Sequence, residues 1–329
     1  MYPLDTNKNG YINILLYFSL ACILIGLSLP QKLFAKESRA QDQTENIKET
    51  SSCKDPTSSL LWRIKSNKST VYLFGSIHIG AKNFYPLHQK IEKTFRSSDH
   101  LVFEISPASI TDPLNAIEIQ TRSLLPNNQK LEDYVSASTV SNVKNTLTDF
   151  GLPADAYMVY RPWFITLLLT NMQMISMGYM PEYGIEQYLF REKPENTDVL
   201  ELETFKSQLD LMESLDGEAF LTYTLENLEK GKESIRILMS AWKCSDKDVL
   251  LSLFDEEFDI KGPLQQHIKD LEENLLYKRN TAMAIGIEKF LTEGEGTYFV
   301  VVGTAHYLGE KSIINKLIDK GYKVTPVKL

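Results

Sequence analysis

Two short runs of β-branched and aromatic residues, Thr70 to Phe74 (TVYLF) and Thr297 to Val302 (TYFVVV), stand near opposite ends of the chain. Each closes on a Gly-x-x-His turn, Gly75-Ser76-Ile77-His78 and Gly303-Thr304-Ala305-His306. Runs of this composition read as buried strands. Each would deliver its glycine turn and its histidine to one end of a sheet, so residues distant in sequence would share one place.

The segments between them set the rest of the architecture. Leu60 to Ile64 and Thr70 to Phe74, joined by a turn at Lys65 to Lys68, read as a hairpin. Pro86 to Phe95 reads as a helix burying Leu87, Ile91 and Phe95, and Leu101 to Glu104 as a strand that ends on a carboxylate. Helical spacing then covers Leu131 to Phe150, Pro162 to Met177 and Gly184 to Arg191, with a strand at Asp198 to Leu202. Three long amphipathic helices are predicted at Thr204 to Lys230, Ser234 to Phe254 and Pro263 to Leu291. A helix at Lys311 to Lys320 and a final strand at Tyr322 to Val327 follow the second turn. This order predicts an α/β fold: a mixed, largely parallel sheet flanked by helices, with a long helical insertion between the N- and C-terminal strand units.

A chain of 329 residues, 43% hydrophobic, can bury a substantial core. Its 43 acidic against 35 basic residues give a net charge of −8, and no Lys/Arg stripe interleaves with aromatics, which argues against a nucleic-acid partner. Residues 1–35 read as a separate object. The uncharged run Tyr11 to Leu29 followed by Ala35 is expected to be a cleaved export signal or a retained N-terminal membrane anchor. Either places the rest outside the cytoplasm, periplasmic or otherwise extracytoplasmic, with membrane attachment through residues 11–29 in the second case. Residues 36–58 are polar and read as a linker, leaving 59–329 as the folded domain. In an exported chain Cys53 and Cys244 are candidates for a disulfide; two unpaired thiols are the other reading.

In open α/β sheets ligands bind in the crevice outside the carboxyl ends of the strands, where His78, Glu104 and His306 would all fall. Two imidazoles and a carboxylate with an open position suit a catalytic divalent ion, which acidifies water and polarises a carbonyl. Glu104 could instead serve as a general base in a site without metal. The plain alternative is that the glycines serve tight turns and the histidines bond neighbouring backbone.

Five blocks in order are more specific than either turn. LWRIKSNKSTVYLFGSIHIGAKNFYPL, DHLVFEIS, YGIEQYLFREKPENTDVLELETFKSQLDLM, LLYKRNTAMA and YFVVVGTAHYLGEKSIINKLIDKGYKVTPV, spanning Leu60 to Val327, resemble the TraB/GumN family, related to the TIKI metalloproteases and likened to erythromycin esterases. The resemblance implies an active site of His78, His306 and Glu104, an Arg-Asn pair that here is Arg279-Asn280, and a peptidase using a divalent metal (Mn, Co or Zn). Arg279 is expected to face the crevice and hold Glu104 or a substrate carboxylate. Gly75, Gly303, Asn280 and Glu203 would stand behind the reacting groups. Gly184-Ile185-Glu186 departs from the family's Gly-hydrophobic-Asp.

His88, His100 and His267 read as surface or capping residues, and Trp62, Trp163 and Trp242 as core. The leading expectation is therefore a metal-dependent hydrolase, most simply a peptidase acting on an extracytoplasmic peptide or lipoprotein. A metal-free esterase-type hydrolase and a non-catalytic protein binding a peptide or haem in the same crevice are the alternatives.

Overall fold

The computed structural model describes Cys53 and residues 59–214, 217–258 and 265–329. The apolar run 11–29 and most of the linker lie outside these residues. Six strands form one sheet: β1 (Leu61–Lys65), β2 (Ser69–Ser76), β3 (His100–Phe103), β4 (Asp198–Glu201), β5 (Gly296–Gly303) and β6 (Thr325–Pro326), in the order β4-β3-β5-β2-β1-β6. The β1–β2 hairpin is antiparallel, as is the β1–β6 pair; β2, β5, β3 and β4 run parallel. The sheet is mixed and largely parallel, as the strand pattern predicts.

β5 lies between β2 and β3, and Phe299, Val300, Val301 and Val302 are fully buried. A strand covered on both faces needs an unbroken apolar run rather than alternation, and TYFVVV supplies one. The register fixes the functional end: Ser76 of β2 faces Gly303 of β5, and Phe103 of β3 faces Val301. The residues that follow each strand therefore leave the sheet side by side.

The helices are α1 (Gln89–Arg96), α2 (Pro107–Thr111), α3 (Pro113–Ser123), α4 (Ala137–Asp149), α5 (Pro162–Ser176), α6 (Ile185–Glu192), α7 (Phe205–Glu213), α8 (Gly217–Lys243), α9 (Lys247–Phe258), α10 (Gln265–Glu272), α11 (Lys278–Thr292) and α12 (Ile313–Asp319). Local chemistry moves several boundaries from their expected places. α1 starts at Gln89 rather than Pro86, because His88 caps it through Nδ1, which accepts from Lys90 N at 3.2 Å. Leu131 to Phe150 is two pieces, a 3-10 turn (Leu131–Asp133) and α4, since the Ser136 hydroxyl takes the Thr139 amide and starts a new helix. The expected helix from Thr204 ends at Glu213. The next, α8, runs unbroken through Gly231 to Lys243, where a smooth amphipathic pattern outweighs the local cost of one glycine. A π turn (Glu273–Tyr277) joins α10 to α11, an interruption that helices favour at functional sites.

Two hydrophobic cores result. One surrounds the sheet with α1, α6, α11 and α12; the other packs α3, α4, α5 and α7 against the first part of α8. Among the described residues no helix is long and apolar enough to cross a membrane. Cys53 and Cys244 are disulfide-bonded with their Cα atoms 5.2 Å apart.

Candidate active site

Both histidine turns are held by backbone geometry that leaves little room. Gly75 donates its N–H to Leu60 O at 2.8 Å, and a Cβ there would lie 2.8 Å from Thr304 Oγ1. That hydroxyl donates to Ser76 O at 2.9 Å and so ties one Gly-x-x-His turn to the other. The second turn continues from β5 as a 3-10 turn, Thr304–Tyr307. His78, Glu104 and His306 are 5%, 4% and 1% exposed, so each must find its polar partners inside the protein.

His306 rests on α11. Its Nδ1 lies 2.6 Å from Asn280 Oδ1, while Asn280 Nδ2 donates to Lys311 O at 3.0 Å. The second bond orients the amide, so the oxygen meets Nδ1, Nδ1 carries the proton and Nε2 keeps its lone pair. Nε2 is buried without a hydrogen-bond partner among the described residues, 3.9 Å from Glu104 Oε1. Burial first, then the charges of Arg279 and His78, hold this imidazole well below its usual pKa. It is a neutral base aimed at a carboxyl group.

His78 rests on α6. Its Nδ1 lies 2.9 Å from Glu186 Oε1, which also accepts from the Ser76 hydroxyl. Gly184 makes this approach possible, because a Cβ there would stand 2.1 Å from His78 O. Ile185 N donates to Ile77 O at 3.0 Å, placing Glu186 in the first turn of α6 beneath the imidazole. Burial opposes the charge on Glu186, but the charge and hydrogen bond of His78, with the Ser76 hydroxyl, outweigh it and hold the carboxyl below the usual range. The departure from the family's aspartate thus occupies a defined position on the first histidine.

Glu104 follows β3. Its Oε1 accepts from Gly303 N at 2.6 Å and its Oε2 from Arg279 Nη2 at 2.5 Å. Arg279 also grips Glu203 through Nε at 2.9 Å and Nη2 at 2.7 Å, and donates Nη1 to Leu275 O. One buried guanidinium therefore serves two carboxylates, and their environments push them apart. Burial raises Glu104 above its ordinary pKa against the pull of Arg279, His78 and the Gly303 amide. Burial also opposes ionisation of Glu203, but its paired contacts with Arg279 and the 3.0 Å bond from Gln208 hold it below.

The expected residues Glu104, His306, Arg279, Asn280 and Glu203 are thus in one connected network, with His78, held on Glu186, beside it. The charge of His78 acts on both Glu104 and His306. Among the described residues no group of three or more His, Cys, Asp or Glu is arranged to hold a metal ion as a ready triad. His88 caps α1 and His100 stacks on Tyr298 at 4.4 Å, both away from the network; His267 lies on α10. Trp242, expected as core alone, is buried but also donates Nε1 to Gly75 O at 3.1 Å. Nothing in its local sequence signalled that bond, because the partner lies in another element.

The fold and network define an α/β protein with a buried His–Glu–Arg site at the carboxyl ends of its parallel strands. The chain belongs to the TraB/PrgY/gumN family, whose pattern matches residues 60–326. It is 26% identical over 245 residues to the uncharacterized protein YbaP of Escherichia coli (strain K12), covering 74% of this chain and 85% of that protein. It is 23% identical over 349 residues to metalloprotease TIKI2 of Danio rerio, covering 88% of this chain and 65% of the relative. Against metalloprotease TIKI1 of Homo sapiens it is 21% identical over 322 residues, covering 81% and 61%. The chain thus spans under two thirds of the length of these two metalloproteases. No solved structure matches.

Proposed function

We propose that the protein is a metal-dependent hydrolase, most simply a peptidase, acting on a peptide or protein substrate outside the cytoplasm, where residues 11–29 would carry it. The observation that carries this reading is the parallel treatment of the two imidazoles. Each commits Nδ1 to an acceptor on a neighbouring helix, which makes Nε2 the nitrogen that can bind a metal. The buried Nε2 of His306, lacking a hydrogen-bond partner, fits such a ligand. The membership of the TraB/PrgY/gumN family and the named metalloproteases among its relatives support the same reading.

His78 and His306 would hold the ion, with Glu104 beside them. A divalent ion there, Mn, Co or Zn by family resemblance, would acidify a water and polarise a substrate carbonyl. The protein's own groups then manage protons. Glu104, raised by burial, is a stronger base than an exposed carboxylate and can take a proton from the attacking water and return it to the leaving amine. Arg279, held charged between Glu104 and Glu203, fixes the carboxyl in place.

One observation favours a second reading, hydrolysis without metal: both Glu104 oxygens already accept hydrogen bonds from Gly303 and Arg279. A peptide-library cleavage assay in the presence of Mn, Co or Zn, and of a chelator, divides the two. The proposal expects metal-dependent cleavage, and a loss of about 10²- to 10⁴-fold in Glu104→Gln with peptide still bound. Cleavage that survives the chelator selects the second reading. Binding without turnover in the wild type contradicts both.

A further inference from the structure

We infer that Trp242 is a positioning residue for the His78 turn, and that the Cys53–Cys244 disulfide anchors it there, so that the disulfide's redox state governs the site. This rests on the hydrolase reading for its consequence, though not for its geometry. Trp242 touches the chain on both sides of His78. Before His78, its indole Nε1 donates to Gly75 O at 3.1 Å; after His78, its ring stacks on Phe84 with centroids 5.5 Å apart. The Gly75 N–H is meanwhile held by Leu60 O, just before β1. Both main-chain polar groups of Gly75 are thus fixed, one from α8 and one from the segment leading into the sheet.

The disulfide joins the two sources of that grip. Cys244 stands two residues beyond Trp242, where α8 ends and the chain reverses through Ser245, whose φ of 52° is costly for a non-glycine residue. Cys53 lies on the segment that precedes Leu60. A crosslink at this point constrains the last turn of α8 where it would otherwise fray, and Trp242 belongs to that turn. The His306 ring is held from elsewhere, by Asn280 on α11, and its turn meets the His78 turn through the strand pairing and the Thr304 hydroxyl on Ser76 O.

Reduction by an external dithiol breaks the Sγ–Sγ bond. The dithiol supplies two electrons and two protons, leaving two Cys thiols, and is itself oxidised to a disulfide. The freed end of α8 then lets the indole leave Gly75 O, and His78 loses its fixed placement while His306 keeps its own. Misplacing a reacting group by about an ångström costs roughly a hundredfold in rate.

The test is amide hydrogen exchange on the full chain without added metal, in four forms: oxidised, dithiol-reduced, Cys53→Ser/Cys244→Ser and Trp242→Phe. The phenylalanine keeps an aromatic ring and removes the N–H donor together with the pyrrole half of the indole. The expected result is faster exchange across 75–80 in the last three forms, by about tenfold or more, with 303–308 unchanged. Cobalt titration of the same samples should show weaker binding in those three. Unchanged exchange at 75–80 in Trp242→Phe overturns the positioning role, and equal loosening of both turns in the reduced protein overturns the latch. If the oxidised wild type binds none of Mn, Co and Zn, the metal-dependent reading fails by itself, and the exchange data still decide the role of Trp242.

Discussion

His78 leans on a carboxylate and His306 on an amide, although the two turns leave adjacent parallel strands offset by one residue, Ser76 beside Gly303. A carboxylate behind an imidazole favours a charged ring and draws the proton toward the shared bond. An amide only selects the tautomer. Around His306, burial and Arg279 add a bias against charge, so that ring is a fixed neutral donor of a lone pair. The pair built from similar motifs is therefore asymmetric in what stands behind each ring, and the asymmetry comes from α6 and α11 rather than from the turns.

The largest effect should fall on the His306 side. Arg279→Met leaves Glu104 and Glu203 buried without their shared cation, and breaking such a buried pair costs roughly 3–5 kcal/mol. Urea unfolding measures it, and a change of under about 1 kcal/mol would show that the two carboxylates find other partners. On the His78 side, Glu186→Gln keeps the shape and the acceptor but removes the charge. Metal affinity or activity should fall about 10- to 100-fold, the usual cost of losing an outer partner of a ligand histidine. A calorimetric titration reads this, and an unaltered affinity would mean that the charge difference between the turns has no consequence.

The smallest effect is a slope with pH in the metal-free protein. The folded pKa of His306 lies below the unfolded value of 6.5, so the unfolded chain takes a proton that the folded chain refuses. The sign follows: this position costs no stability above pH 6.5, and stability falls as the pH drops from there toward the folded pKa, by at most about 1.4 kcal/mol per pH unit. His306→Gln should flatten that part of the profile between about pH 6.5 and 5, measured by denaturant midpoints. A profile identical to wild type would place the proton elsewhere.

How far these features could be read from sequence depended on where their causes lie. β5 was legible because a strand buried on both faces must be apolar throughout, and TYFVVV has no other comfortable place. The convergence of His78, Glu104 and His306 followed from three strand ends, which are local signals. Helix boundaries such as that between Leu131–Asp133 and α4 were decided by single caps, which compete with the apolar period over one turn. Glu186 appeared only as a departure from a family block, since its contact with His78 depends on Gly184 passing close to His78 O. The bond from Trp242 to Gly75 is wholly tertiary, and no pattern around either residue announces it.

The central claim is that two differently supported imidazoles present Nε2 to one divalent ion. Calorimetric titration of the metal-free protein with Mn, Co and Zn, beside His78→Ala and His306→Ala, addresses it most directly. The account predicts one ion per chain in the wild type and loss of that site in both variants. A wild type that binds none of the three ions, or a variant that keeps full affinity, would contradict it.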